Sequence, residues 1–159
     1  MNADILVIDD EADIRDLLKS MLTDESYVVE TAASAEEALQ YLTSDCPPLI
    51  LCDYRMPGKN GLEFVTEVRN LGIKCAIVMI TANDEKETII QAMRLGTNDF
   101  VVKPFKADQL IPLVADWVNL GKRLQTLNKD NNPAYIEKQL GIIDLIKVKT
   151  HIDSKKKGA

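Results

Sequence analysis

The sequence predicts a doubly wound α/β domain, with a five-stranded parallel sheet carrying helices on both faces. Three observations lead there. Short β-branched or aliphatic runs recur five times along the 159 residues, and each is followed by a stretch whose apolar residues keep helical spacing. The runs are almost wholly apolar instead of alternating, the pattern of strands covered on both sides. An apolar fraction of 46% and a charged fraction of 28% fit a globular domain, and an aromatic fraction of 5% leaves the core to Ile, Leu, Val and Ala.

Taken in order, Ile5-Leu6-Val7-Ile8 is the first strand, and Ile14, Leu17, Leu18 and Met21 form the apolar face of the first helix. Val28-Val29 opens the second strand. Because that strand runs into Glu30 and Thr31 it is the most polar of the five and belongs at an edge. Ala35, Ala38, Leu39 and Leu42 mark the second helix, Leu49-Ile50-Leu51-Cys52 the third strand, and Leu62, Val65 and Val68 the third helix. Ala76 to Ile80 is the fourth strand, Ile89, Ile90 and Met93 the fourth helix, and Phe100-Val101-Val102 the fifth strand. Leu110, Leu113, Val114 and Trp117 begin the fifth helix.

Ser34, Asn60 and Asp84 each stand three residues before Glu, the spacing of a capping box, while Gly72 and Gly96 supply stop signals. Pro112 is tolerable only early in its helix, which predicts Asp108 as the cap. Leu110, Leu113, Trp117, Leu120, Leu124 and Leu127 could continue as a coiled-coil seam. Fewer than three heptads are present, and a helix facing the sheet is the better reading.

The pattern weakens after about residue 124. Asn128 to Pro133 is a polar turn or linker, and Ile136, Leu140, Ile143 and Ile146 fall on one face of a short helical extension ending in Lys155-Lys156-Lys157. The expected division is 1–124 for the domain and 125–159 for linker and extension. His151 and the terminal lysines read as solvated groups.

A net charge of −6 argues against a nucleic-acid surface, which would need a basic face, and favours an acidic cluster that binds a cation. No apolar run approaches the roughly 18 residues needed to span a bilayer. Three cysteines without C-x-x-C spacing support neither a disulfide framework nor a zinc site, and read as reduced thiols of a cytoplasmic protein.

The polar residues that carry chemistry stand at the carboxyl ends of the strands: Asp9 and Asp10 after the first, Asp53 after the third, Thr81 after the fourth and Lys103 after the fifth. In an open α/β sheet those ends converge on one crevice. Two carboxylates about 5 Å apart repel by roughly 3 kcal/mol at an effective dielectric of 20, so three of them call for a cation. Oxygen ligands with no His or Cys favour Mg²⁺. A carboxylate nucleophile, a metal, an ammonium and a hydroxyl donor are together the parts of a phosphoryl-transfer site.

Val7-Ile8-Asp9-Asp10-Glu11, Asp53-Tyr54-Arg55-Met56-Pro57-Gly58, Ile80-Thr81-Ala82 and Lys103-Pro104-Phe105 resemble, in order, the signatures of response-regulator receiver domains of two-component signalling. The resemblance covers roughly residues 4 to 122 and extends to single-domain regulators of the chemotaxis type. It implies a flavodoxin-like sheet in the order 2-1-3-4-5. It also implies Asp53 as the phosphoacceptor, with Asp9, Asp10, Asp53 and the Arg55 main-chain carbonyl around Mg²⁺. Thr81 and the Ala82 amide would bond the phosphoryl group, Lys103 would pair with it, and Thr81 and Phe100 would form the switch. Lys103-Pro104 matches a peptide bond that is typically cis, and Arg55 and Asn83 occupy variable positions that tune the acyl-phosphate lifetime. The implied partners are a sensor histidine kinase or phosphotransfer protein and an output protein or domain, with a phosphorylation-dependent homodimer as one assembly.

The resulting expectation is a switch and not a turnover enzyme. Three alternatives stand beside it: the N-terminal receiver of a longer regulator with a DNA-binding or enzymatic output domain, a scaffold that is never phosphorylated, and a haloacid-dehalogenase-type phosphatase. The scaffold is disfavoured because acceptor, acids, Thr81 and Lys103 are all present. The phosphatase needs D-x-D after the first strand, a spacing that Asp9-Asp10-Glu11 lacks.

Overall fold

The structure is a computed structural model that describes residues 2–42, 46–82 and 86–127. Five strands alternate with five helices: β1 (Ile5–Ile8), α1 (Ala12–Asp24), β2 (Val29–Ala32), α2 (Ala35–Leu42), β3 (Leu49–Asp53), α3 (Gly61–Asn70), β4 (Ala76–Thr81), α4 (Lys86–Leu95), β5 (Asp99–Val102) and α5 (Ala107–Leu127). The strands form one parallel sheet in the order β2-β1-β3-β4-β5, as the sequence leads one to expect.

The two faces of the sheet explain why the strands are apolar throughout. Leu6, Ile8, Ile50, Cys52, Ile77, Met79 and Phe100 point to the side covered by α2, α3 and α4. Their neighbours Ile5, Val7, Leu49, Leu51, Val78, Ile80 and Val101 point to the side covered by α1 and α5. Since side chains alternate along a strand, two buried faces demand an unbroken apolar run.

The caps also form. Asn60 and Glu63 make a reciprocal capping box at α3, with both bonds at 3.0 Å. At α2, Ser34 Oγ accepts from the Glu37 N–H at 3.1 Å, but the Glu37 carboxylate reaches one residue further back, to the Ala33 N–H. Gly72 and Gly96 both take positive φ after their helices.

Three local expectations change. Leu17 is 51% exposed and Leu22 is buried in its place, because with Ile14 and Leu18 facing the sheet the helical period carries Leu17 to the rim. Ile90 is likewise 39% exposed, and Ala92 joins Ile89 inside. The fifth helix starts at Ala107, so Asp108 lies within its first turn and is not its cap. The Gln109 side chain accepts from the Lys106 N–H at 3.4 Å, which lets the helix begin before Asp108 and puts Pro112 six residues in.

The sheet-facing reading of α5 holds, with Leu110, Val114, Trp117, Val118 and Leu120 buried and Leu124 packed beside them. Gly121 faces Pro48 so closely that a Cβ would lie 1.8 Å from its carbonyl oxygen, and only glycine permits that approach. Trp117 Nε1 donates to Asp99 Oδ2 at 2.9 Å, which ties α5 to β5. Leu127 is the last residue of the described helix; the polar segment 128–133, the extension with Ile136, Leu140, Ile143 and Ile146, His151 and the terminal lysines lie outside the described residues, as do Asn83 and Asp84.

Candidate functional site

The carboxyl ends of β1, β3, β4 and β5 bring the predicted polar residues together. Asp9 and Asp10 follow β1, Asp53 and Thr81 are the last residues of β3 and β4, and Lys103 follows β5. Carboxylate oxygens of Asp9, Asp10 and Asp53 all lie within 4.8 Å of one another, Asp10 being exposed and the other two buried. Lys103 Nζ stands 3.2 Å from Asp53 Oδ1 and 3.4 Å from Asp9 Oδ2, although Lys103 and Asp9 are 94 residues apart.

Local bonds fix each group. Asp9 Oδ1 accepts from the Glu11 N–H at 2.9 Å, which turns the chain out of β1. Arg15, one turn into α1, donates from Nη1 to the main-chain oxygens of Asp9 (2.7 Å) and Asp10 (3.1 Å). The Tyr54 N–H donates to the Ile80 carbonyl and the Gly61 N–H to the Tyr54 carbonyl, both at 2.9 Å, so the loop after Asp53 folds back onto the sheet. A Cβ on Gly61 would fall 2.7 Å from the Asp53 carbonyl oxygen and from Met79 Sδ. The Lys103 N–H donates to the Thr81 carbonyl at 2.7 Å, and the Lys103–Pro104 bond is cis.

Electrostatics follow from this crowding. Burial, then the charge of Asp9, pushes the Asp53 carboxyl up to about 6; Lys103 pulls the other way and Asp10 adds a smaller push. Burial alone would lower the Lys103 ammonium, but Asp53 and Asp9 outweigh it and hold it above the ordinary lysine value. Burial, with Asp53 and Asp9 beside it, drives the Cys52 thiol far upward, in keeping with its reading as an inert core residue.

Three carboxylates without a soft donor fit a hard divalent cation, and such an ion would relieve the repulsion from Asp9 and Asp10 that adds to burial in raising Asp53. Thr81 is 3% exposed and Phe100 3% exposed, the ring lying in the core on the α4 side, while Ala82 and Arg55 are exposed at the rim. Sequence reasoning missed Arg15 and the close approach at Gly61. A cation one turn into the helix after the acidic pair was the available signal for Arg15; for Gly61 there was only its place at the start of a helix.

The model of the response regulator receiver domain matches residues 5–115. The chain belongs to that family. It is 40% identical over 116 residues to a 14.6 kDa protein encoded in the sodA1 3′ region of Leptolyngbya boryana, covering 72% of this chain and 88% of that one. It is 40% identical over 110 residues to the transcriptional regulatory protein KdpE of Staphylococcus aureus, covering 69% of this chain and 47% of KdpE. Among solved structures, the receiver domain of NtrX from Brucella abortus superposes with a TM-score of 0.68 at 38% identity, over 73% of this chain and 98% of that one. Vibrio cholerae CheY4 gives 0.69 at 31%, over 74% and 99%.

The chain thus spans most of the Leptolyngbya protein and about half of KdpE. Receiver domains of two-component regulators are phosphorylation switches that generally use Mg²⁺ at an acidic pocket and work with histidine kinases or phosphotransfer proteins and output domains. Single-domain and multidomain regulators both occur among the relatives. No described helix is long and apolar enough to cross a membrane.

Proposed function

We propose that Asp53 is the phosphoacceptor of this receiver, taking a phosphoryl group from the phosphohistidine of a sensor kinase or phosphotransfer protein. The observation that carries the reading is the convergence of three carboxylates within 4.8 Å, with Lys103 Nζ 3.2 Å from Asp53. A carboxylate oxygen of Asp53 forms the new O–P bond as the P–N bond breaks, and the electron pair stays on the imidazole nitrogen. Asp53 must be ionised to attack, and a carboxyl raised to about 6 is both ionised at neutral pH and more basic than an ordinary aspartate.

Lys103 is positioned to pair with the added phosphoryl oxygens, and the Thr81 hydroxyl and Ala82 amide are proposed to donate to them. Asp9, Asp10, Asp53 and the Arg55 carbonyl are proposed to hold Mg²⁺, which when bound supplies positive charge for the developing negative charge. The phosphoryl charge then draws Thr81 inward and biases Phe100, which changes the surface presented to an output partner or a second copy. The chain acts as a cytoplasmic switch and has no turnover substrate. We assign residues 1–124 to the receiver and 125–159 to linker and extension. A second reading, the N-terminal receiver of a longer regulator, is favoured by the chain's covering only 47% of KdpE.

Incubation with acetyl phosphate and Mg²⁺ followed by mass spectrometry tests the assignment. Wild type should gain one phosphoryl group and Asp53→Asn none; equal labelling of the two would refute Asp53.

A further inference from the structure

β1 ends at Ile8, and the two residues after it must do what a straight strand cannot. Side chains alternate along a strand, so a simple continuation would set Asp9 on the face of Ile5 and Val7 and Asp10 on the face of Leu6 and Ile8, with the two carboxylates on opposite sides of the sheet. Instead the chain bends at Asp10, and carboxylate oxygens of both residues lie within 4.8 Å of each other and of Asp53. Successive carbonyls of a strand point in opposite directions, yet those of Asp9 and Asp10 meet at one atom, Nη1 of the half-buried Arg15, at 2.7 and 3.1 Å. Taking the acid cluster as the Mg²⁺ site, as above, we propose that Arg15 is a positioning residue for that ion: it holds the bend that turns two consecutive carboxylates onto one cation.

The two acids depend on Arg15 unequally. Asp9 is buried and fixed through both of its carboxylate oxygens, Oδ1 by the Glu11 N–H at 2.9 Å and Oδ2 by Lys103 Nζ at 3.4 Å. Asp10 is exposed, and the Arg15 bond to its carbonyl fixes its backbone where the carboxylate faces the cluster. Arg15 itself is anchored one turn into α1, a 13-residue helix whose Leu18 and Leu22 are fully buried, so the bend is held from a rigid element. Groups that orient the ligands of a metal without touching it commonly change its affinity by about 10-fold to 100-fold. Charge alone gives the opposite sign: a guanidinium beside a cation site repels the ion, and removing it would tighten binding. The direction of the change therefore separates positioning from charge.

Calorimetric titration of Mg²⁺ into the full chain tests this, with the rate of labelling by acetyl phosphate followed over the same Mg²⁺ range. Arg15→Ala should bind Mg²⁺ about 10-fold more weakly or worse. Its labelling curve should move to higher Mg²⁺ by the same factor, while the rate at saturating Mg²⁺ approaches that of wild type. Arg15→Lys, which keeps the charge on a shorter side chain without the planar fork, should fall between. Arg69→Ala should bind Mg²⁺ as wild type does, because lost stability alone leaves the bend in place. Should Arg15→Ala fail to fold, Arg15→Met keeps the aliphatic stem, loses both bonds and must show the same weakening. Asp10→Asn separates the two ways of failing. If it binds Mg²⁺ as wild type does, the acid cluster is not the metal site and the role of Arg15 falls with it. If Asp10→Asn binds weakly while Arg15→Ala or Arg15→Met binds as tightly as wild type or more tightly, the metal site stands and Arg15 does not position it.

Discussion

The two ends of this sheet each carry a part-buried cation, and the cations face opposite kinds of partner. At the carboxyl end Lys103 faces the carboxylates of Asp53 and Asp9 at 3.2 and 3.4 Å, inside a cluster that also holds Asp10. At the amino end of β4 and β5, Arg69 is bonded to neutral oxygens: Nε and Nη2 to the Gly96 carbonyl, Nη1 to Ile73, and Nη2 also to Cys75 and to Asn98 Oδ1, all between 2.9 and 3.1 Å. Asn98 in turn accepts from the Ile77 N–H at 2.8 Å and donates its own N–H to the Ile77 carbonyl at 2.8 Å, closing the network onto β4. Charge at one end is left uncompensated and available to a ligand, whereas at the other a fixed fork of donors is spent on the chain itself. Chemistry belongs to the first end and stiffness to the second.

Arg69→Ala should break the stiff end most. It strands oxygens that accept charge-assisted bonds, and with each such bond contributing about 1.5–3 kcal/mol, a loss of about 3–5 kcal/mol of unfolding free energy is expected in denaturant titration. Arg69→Lys keeps the charge without the fork and should fall between. Below its melting temperature Arg69→Ala should accept phosphoryl from acetyl phosphate as wild type does. A folded variant that labels poorly would mean the two ends are coupled and the division is wrong.

The carboxyl end is tested by pH. Asp53 titrates near 4 when unfolded and at about 6 when folded, so between those values the folded state binds more protons. Metal-free stability should therefore fall as pH rises from about 4 to about 6 and stay low above that, by about 2–3 kcal/mol at most. Asp53→Asn should lack the fall, and millimolar Mg²⁺ should restore wild type at neutral pH by binding the folded state. Parallel pH curves for the two proteins would show that Asp53 is not the strained group.

How far each end could be read in the sequence follows from the same contrast. The carboxyl end is legible because its residues sit at fixed places relative to strands that announce themselves by composition, and the sheet's topology does the rest. The strand order and the cis Lys103–Pro104 bond rest on family resemblance and are present. The amino end has no such grammar. Arg69 and Gly96 are 27 residues apart, and the helix stop that Gly96 signals says nothing of the arginine that bonds its carbonyl. Gly121 did offer a signal: a glycine inside a helix costs about 1 kcal/mol against alanine, which implies a compensating close contact. The misplaced Leu17 and Ile90 show the limit of periodicity, which finds an apolar stripe without saying which edge of it the sheet covers.

The smallest expected effect sits within the stiff end. Thr97, between α4 and β5, is 3% exposed, and its Oγ1 is the one buried side-chain oxygen or nitrogen among the described residues without a hydrogen-bond partner. Its N–H is satisfied by the Ala92 carbonyl at 3.0 Å, so the backbone needs nothing from the hydroxyl. A buried hydroxyl that bonds to nothing has lost its hydration and gained no replacement, at a cost of about 1–3 kcal/mol. Valine has the same shape with a methyl in place of that oxygen. Thr97→Val should therefore raise stability by about 1 kcal/mol and leave phosphoryl acceptance unchanged, the opposite sign from Arg69→Ala, whose side chain bonds the carbonyl of the preceding residue, Gly96. A loss of stability would mean that the hydroxyl is bonded in solution, and the amino end would then be satisfied throughout.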